Sequence, residues 1–168
     1  MSELSLDRPL PEEVTRLALP VTGGGSLRLA DLRGRWVVLY FYPKDATPGC
    51  TREGRDFKAL HPAFAELGAV VLGVSRDSLA SHERFKAKEG FPFELLADTE
   101  EALCRAFGVL RPKKMYGREV VGVERSTFLI DPQGVLRRAW RKVKVDGHAQ
   151  EVLEALRQLA GAGEGRGA

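Results

Sequence analysis

The run WVVLYFY at positions 36–42 limits the folds open to this chain more than any other stretch. Seven consecutive aliphatic and aromatic residues, with no polar residue alternating among them, read as a strand buried on both faces. Such a strand lies in mid-sheet and needs a covering layer on either side. AVVLGVS at 69–75 repeats the pattern, and FELLAD at 93–98 supplies a shorter third strand. Helical spacing fills the intervals. Phe57, Leu60, Phe64 and Leu67 recur through 54–68 with Gly68 as a stop, although Pro62 inside that stretch predicts a kink or a break. SLASHERFKAKEG at 78–90 reads as a second helix closed by Gly90, and TEEALCRAFGV at 99–109 as a short third one.

Beyond residue 125 the alternation of strand and helix stops. STFLIDPQGVLRRAW at 126–140 reads as two apolar runs joined in a hairpin by Pro132, Gln133 and Gly134, and AQEVLEALRQLA at 149–160 as an amphipathic closing helix. GVLRPKKMYGREVVGVER at 108–125 has no clear period and reads as a long loop or edge segment. Strands and helices in this order predict an α/β chain, a thioredoxin-like three-layer sandwich around a central mixed β-sheet. A length of 168 residues suits one hydrophobic core, so residues 1–160 are expected to form one domain, followed by a flexible tail at 161–168.

Composition excludes several classes. At 43% hydrophobic and 29% charged, the chain is neither fibrous nor disordered. Its first twenty residues carry early acids and no signal-like apolar core, and no segment approaches the roughly 18 apolar residues of a membrane span, so a cytoplasmic, membrane-free location is expected. The net charge of +3 and the basic cluster RRAWRKVK at 137–144 would tolerate phosphates, but the cluster reads as Lys and Arg guarding a strand edge, with no nucleic-acid partner. Two cysteines make no disulfide framework, and in a reducing compartment both are expected as thiols.

Reactivity is then the question, and it falls on Cys50. The sequence YFYPKDATPGCT at 40–51 places this cysteine where a buried strand turns into a helix. In a first helical turn, unpaired backbone N–H groups and the helix dipole favour an anionic sulfur. Thr47, three residues earlier, can offer a hydroxyl, while Pro43 and Pro48 stiffen the turn. The plainer reading, a small core residue, would need none of these neighbours. Counting disfavours other cysteine chemistries. Positions 47 and 53 are Thr47 and Glu53, so there is no C-x-x-C, and position 56 is Asp56 where a phosphatase loop needs an arginine. His61, His82 and His148 carry no protease signature and read as surface or helix-start residues, and no His and Cys spacing suggests a metal; no cofactor is implied.

Pro43 through Cys50 fits the P-x-x-x-T-x-x-C signature of peroxiredoxins, and YFYPKDATPGCT is similar to the bacterioferritin-comigratory, or Q-type, subfamily. The likeness continues through VVLGVSRDS, FELLADTE, RSTFLIDPQG and WRKVKVDGHAQEVL, covering about residues 16 to 160. The resemblance implies that Cys50 is the peroxidatic cysteine, passing through a sulfenic acid, that Thr47 aligns the peroxide, that Pro43 shields the thiolate, and that Arg125 in ERSTF lies beside it. It implies a thiol peroxidase acting on hydrogen peroxide and organic hydroperoxides, and a monomer, although one apolar patch would suffice for a dimer.

One departure from the subfamily bears on mechanism. Many Q-type relatives carry a resolving cysteine five residues after the peroxidatic one, and here that position is Arg55; nor does the helix at 78–90 hold a cysteine. Only Cys104 remains, either a resolving thiol or a small core residue beside Leu103 and Phe107. The expected cycle uses one cysteine, with thioredoxin, or glutathione and glutaredoxin, returning the sulfenic acid to thiol. The alternative is a redox sensor or chaperone-like protein in which oxidation of Cys50 alters a binding surface.

Overall fold

The computed structural model describes residues 4–167, and side chains for residues 4–161. Its N-terminal third holds β1 (Arg8–Pro9), α1 (Glu12–Thr15), β2 (Leu19–Pro20), β3 (Ser26–Leu27) and then β4 (Trp36–Phe41), the long apolar run. Next come α2 (Pro48–Glu66), β5 (Ala69–Ser75), α3 (Leu79–Glu89), β6 (Glu94–Ala97) and α4 (Ala102–Ala106). The chain closes with β7 (Leu110–Met115), β8 (Arg118–Val123), β9 (Ser126–Ile130), β10 (Val135–Trp140) and α5 (His148–Gly167).

β4 occupies mid-sheet, as its unbroken apolar run requires. Six strands lie in the order β1-β10-β9-β4-β5-β6; β4, β5 and β6 pair in parallel, whereas the β4–β9, β9–β10 and β10–β1 pairs are antiparallel. The pleat divides the core in two. Val37, Leu39 and Phe41 point into one cluster with Leu103, Cys104 and Phe107, while Val38 and Tyr40 point into the other with Cys50, Phe57, Phe64 and the α5 residues Val152, Leu153 and Leu156. The result is the mixed α/β, three-layer arrangement expected, with helices on both faces of a central mixed sheet.

Local chemistry explains most boundaries. Ser78 caps α3 by accepting from Ser81 N–H, and Gly90 ends it in the left-handed region at φ 66°. The β9–β10 turn is tied by the Asp131 carboxylate, which accepts from the N–H groups of Gln133 and Val135.

Two expectations meet a different outcome. Pro62 neither breaks nor splits α2, which runs as one helix from Pro48 to Glu66. The proline is exposed, so the Lys58 carbonyl that forfeits its partner faces water, while buried Phe57 and Phe64 hold the helix to the sheet on either side of it. Residues 110–123, which lacked a period, form a separate two-stranded ribbon of β7 and β8; most of its side chains are exposed, so no core face imposes alternation. The tail expected at 161–168 falls on the end of α5, whose backbone is helical to Gly167; side chains beyond 161 lie outside the described residues.

Candidate active site

β4 delivers the chain to the edge of the second cluster, and residues 42–47 turn it into α2. Thr47 is the helix N-cap in an extended conformation, Pro48 the first helical residue, and Cys50 the third. The Thr47 side chain caps nothing: its hydroxyl donates to the Lys44 carbonyl at 2.8 Å and so braces the turn. Because Pro48 has no N–H and Thr47 does not cap, the first-turn N–H groups of Gly49 and Cys50 are left for an anion. Cys50 itself is buried, at 3% exposure.

Arg125 enters from the residue before β9. One guanidinium nitrogen donates to Cys50 Sγ at 3.4 Å, and another to Glu53 Oε1 at 2.6 Å. Gly49 permits this approach, since a Cβ there would lie 3.2 Å from the guanidinium. Burial alone would lower the basicity of Arg125, but Glu53 and Cys50 outweigh it and hold the group above its ordinary value. The backbone also pins the residue in place: Val143 N–H donates to the Arg125 carbonyl at 3.0 Å. A fixed cation lies beside the sulfur at the head of a helix whose first-turn N–H groups are uncapped, an arrangement suited to negative charge on the sulfur and on an oxygen leaving it.

Sequence reasoning did not single out Glu53. It is 1% exposed, its Oε2 has no hydrogen-bond partner, and burial drives its acidity down so that its pKa rises to about 7 despite Arg125. The signal was the spacing: three residues after Cys50 on a helix is one turn, so a carboxyl there shares the face of the sulfur. Tyr40 lines the same region, its phenol pushed well above the ordinary value by burial and then by Glu53 and Cys50, so it stays a neutral wall.

The other expected positions fall as follows. Pro43 is half-buried in the turn. Cys104 is fully buried in the opposite cluster, across the sheet from Cys50; its N–H donates to Asp98 at 2.7 Å, and burial and the Asp98 carboxylate push its thiol pKa far upward. Arg55, where relatives of the subfamily place a resolving thiol, forms a salt bridge at 2.6 Å with Glu89 at the end of α3. Of the histidines, His148 does start α5 but is buried, with Nε2 at 2.7 Å from the Thr127 hydroxyl and a pKa lowered by burial to about 4. His82, expected at the surface or at a helix start, is fully buried behind the active-site turn. Among the described residues, Asp45, Asp77 and His82 are close enough to hold a metal ion, but hydrogen bonds to one another and to neighbouring groups already engage their ligand atoms.

The AhpC/TSA family model matches residues 11–139. The chain is 57% identical over 151 residues to the peroxiredoxin Bcp of Xanthomonas campestris, covering 90% of this chain and 94% of that one. It is 52% identical over 137 residues to the peroxiredoxin Bcp of Bacillus subtilis, covering 82% and 87%. Among solved structures it is similar to the bacterioferritin comigratory protein of Xanthomonas campestris, studied for its alkyl peroxide reduction activity, with a TM-score of 0.88, 54% identity, and coverage of 93% of this chain and 99% of the other. No helix among the described residues is long and apolar enough to cross a membrane.

Proposed function

The chain belongs to the AhpC/TSA family, in its bacterioferritin-comigratory peroxiredoxin branch, and as such is a peroxidase; we propose that it works through Cys50 alone, with an external thiol closing the cycle. The Cys50 thiolate attacks the terminal oxygen of hydrogen peroxide or an organic hydroperoxide, the O–O bond breaks heterolytically, and the departing hydroxide or alkoxide takes a proton to leave as water or alcohol. Cys50 becomes a sulfenic acid. Arg125 and the free N–H groups of the first α2 turn stabilise the charge as it moves from sulfur to the leaving oxygen. Thr47 and Pro43 shape the turn that receives the peroxide, the first with its hydroxyl and the second by excluding water.

Recycling follows from what the chain lacks near Cys50. One external thiol displaces water from the sulfenic acid to give a mixed disulfide, and a second thiolate attacks that bond, releasing an external disulfide and the Cys50 thiolate. The observation that carries this reading is the position of Cys104, across the sheet, fully buried and strongly disfavoured as a thiolate. Of the two places where relatives of the subfamily carry such a thiol, one holds Arg55 in its ion pair and the other, α3, has no cysteine.

Peroxide consumption measured side by side with a thioredoxin system and a glutathione and glutaredoxin system is the test. Sustained turnover with one of them, abolished in Cys50→Ser and retained in Cys104→Ser, is expected. Stoichiometric oxidation that no donor reverses would replace the enzyme with a redox sensor, and loss of turnover in Cys104→Ser would overturn the one-cysteine cycle.

A further inference from the structure

Behind the turn that presents Cys50 lies a buried polar network that the reaction chemistry above does not use. Asp45 sits in that turn, between Pro43 and Thr47, yet its side chain points inward and is 7% exposed. Its Oδ1 accepts from the Tyr42 hydroxyl at 2.6 Å, and its Oδ2 from the Ser81 hydroxyl at 2.8 Å and from His82 Nδ1 at 2.7 Å. Its backbone N–H donates to the Asp77 carboxylate at 2.9 Å. Burial would raise the Asp45 pKa, but the hydrogen bonds from His82, Tyr42 and Ser81 outweigh it and hold the carboxyl below its ordinary value.

His82 has no exposed surface and reaches in two directions. On the far side of the ring, Nε2 lies 2.9 Å from the Leu96 carbonyl on β6. A carboxylate faces one ring nitrogen and a backbone carbonyl the other, and both partners are hydrogen-bond acceptors. The imidazole therefore links the active-site turn to the sheet. The turn needs such a link, because Ala46, next to Asp45, sits at φ 62°, a left-handed conformation that a residue with a Cβ keeps only when its surroundings impose it.

We propose that His82 is a positioning residue for the peroxide reaction: its Nδ1–H fixes the Asp45 carboxylate, and Asp45 in turn fixes the 43–47 turn that receives the peroxide at Cys50. This rests on the peroxidase reading of Cys50. The role is separable from simple anchoring because the two arms of the ring can be removed one at a time. In His82→Asn the side-chain amide can stand where Nδ1 does and keep the donor to Asp45; in His82→Gln it can stand where Nε2 does and keep the donor to Leu96.

The experiment measures the second-order rate of Cys50 oxidation by hydrogen peroxide in stopped flow, the rate at which a thiol donor reduces the sulfenic acid, and stability to urea, for the wild type and both variants. His82→Gln is expected to slow oxidation about tenfold, the effect of one hydrogen bond on a barrier, with reduction unchanged, whereas His82→Asn stays within about threefold of the wild type at a similar loss of stability. Equal losses in the two variants, or a wild-type oxidation rate in His82→Gln, would overturn the proposal. If neither variant folds, half-buried Ser81→Ala removes another donor to the same Asp45 oxygen: oxidation about threefold slower supports the proposal, and an unchanged rate overturns it. A wild type that consumes no peroxide would sink the peroxidase reading together with this one, while normal turnover without the Asn and Gln difference would sink this one alone.

Discussion

Replacing Glu53 with Gln isolates the cost of holding an acid beneath the active-site sulfur. The carboxyl is raised from an ordinary 4.5 to about 7 because burial penalises its charge more than Arg125 rewards it. Between those values the folded chain keeps a proton that the unfolded chain has released, so folding stability falls as pH rises through the window. At 1.36 kcal/mol per unit, a difference of about 2.5 units amounts to about 3 kcal/mol, fully lost above pH 7. His148 works in the opposite sense. Its pKa is depressed from 6.5 to about 4, so the unfolded chain binds the extra proton, and stability rises as pH climbs through that range by a similar ~3 kcal/mol. The two slopes nearly cancel in the wild type between pH 4.5 and 6.5. In Glu53→Gln the histidine slope remains, chiefly that of His148, so urea unfolding at half-unit steps should show a variant that gains about 2 kcal/mol over that interval while the wild type stays almost flat. Parallel curves for the two proteins would refute the reasoning, since they would mean that Glu53 is charged throughout and that burial does not control it.

Other perturbations separate the parts of the site. Arg125→Met should lower the rate of Cys50 oxidation by about 10²–10³, the usual loss on removing a donor aimed at developing charge, and Arg125→Lys should recover little because one ammonium cannot bridge Sγ and Glu53; a stopped-flow loss below threefold in Arg125→Met would remove the residue from the reaction. Cys104→Ala should keep oxidation within about twofold of wild type while costing roughly 1 kcal/mol of stability from a small cavity, and a tenfold loss of rate would show that the thiol participates. Gly54→Ala should destabilise by about 1–3 kcal/mol in urea unfolding, because its Cβ would lie 2.4 Å from the Phe91 ring, which Phe85 and Phe93 hold from either side; wild-type stability would mean that this aromatic cluster yields freely.

How much the sequence disclosed depends on the range of the interaction. WVVLYFY announced a central strand because burial on both faces leaves no room for polar alternation, and the surroundings of Cys50 were legible because a strand, a proline-bound turn and a helix start are local signals. Arg125, 75 positions from Cys50, came from the family resemblance, and its contact with the sulfur depends on β9 pairing with β4, which periodicity alone does not reveal. Glu53 was visible in principle as the residue one helical turn below the cysteine, but its pairing with Arg125 and its burial are tertiary facts. His82 and Asp45 lie 37 positions apart, and nothing in SLASHERFKAKEG shows that its histidine faces inward rather than to solvent. The β7–β8 ribbon escaped for the opposite reason: with little core to face, Arg111, Lys113, Lys114 and Arg118 impose no period of two.

The most direct test is to expose the reduced chain to one equivalent of hydrogen peroxide in the presence of a sulfenic-acid trap and to map the product by mass spectrometry without reductant. A single adduct on the peptide holding Cys50, with Cys104 still a free thiol, is predicted. A bridge between the two sulfurs, or an adduct at Cys104 with Cys50 untouched, would contradict it.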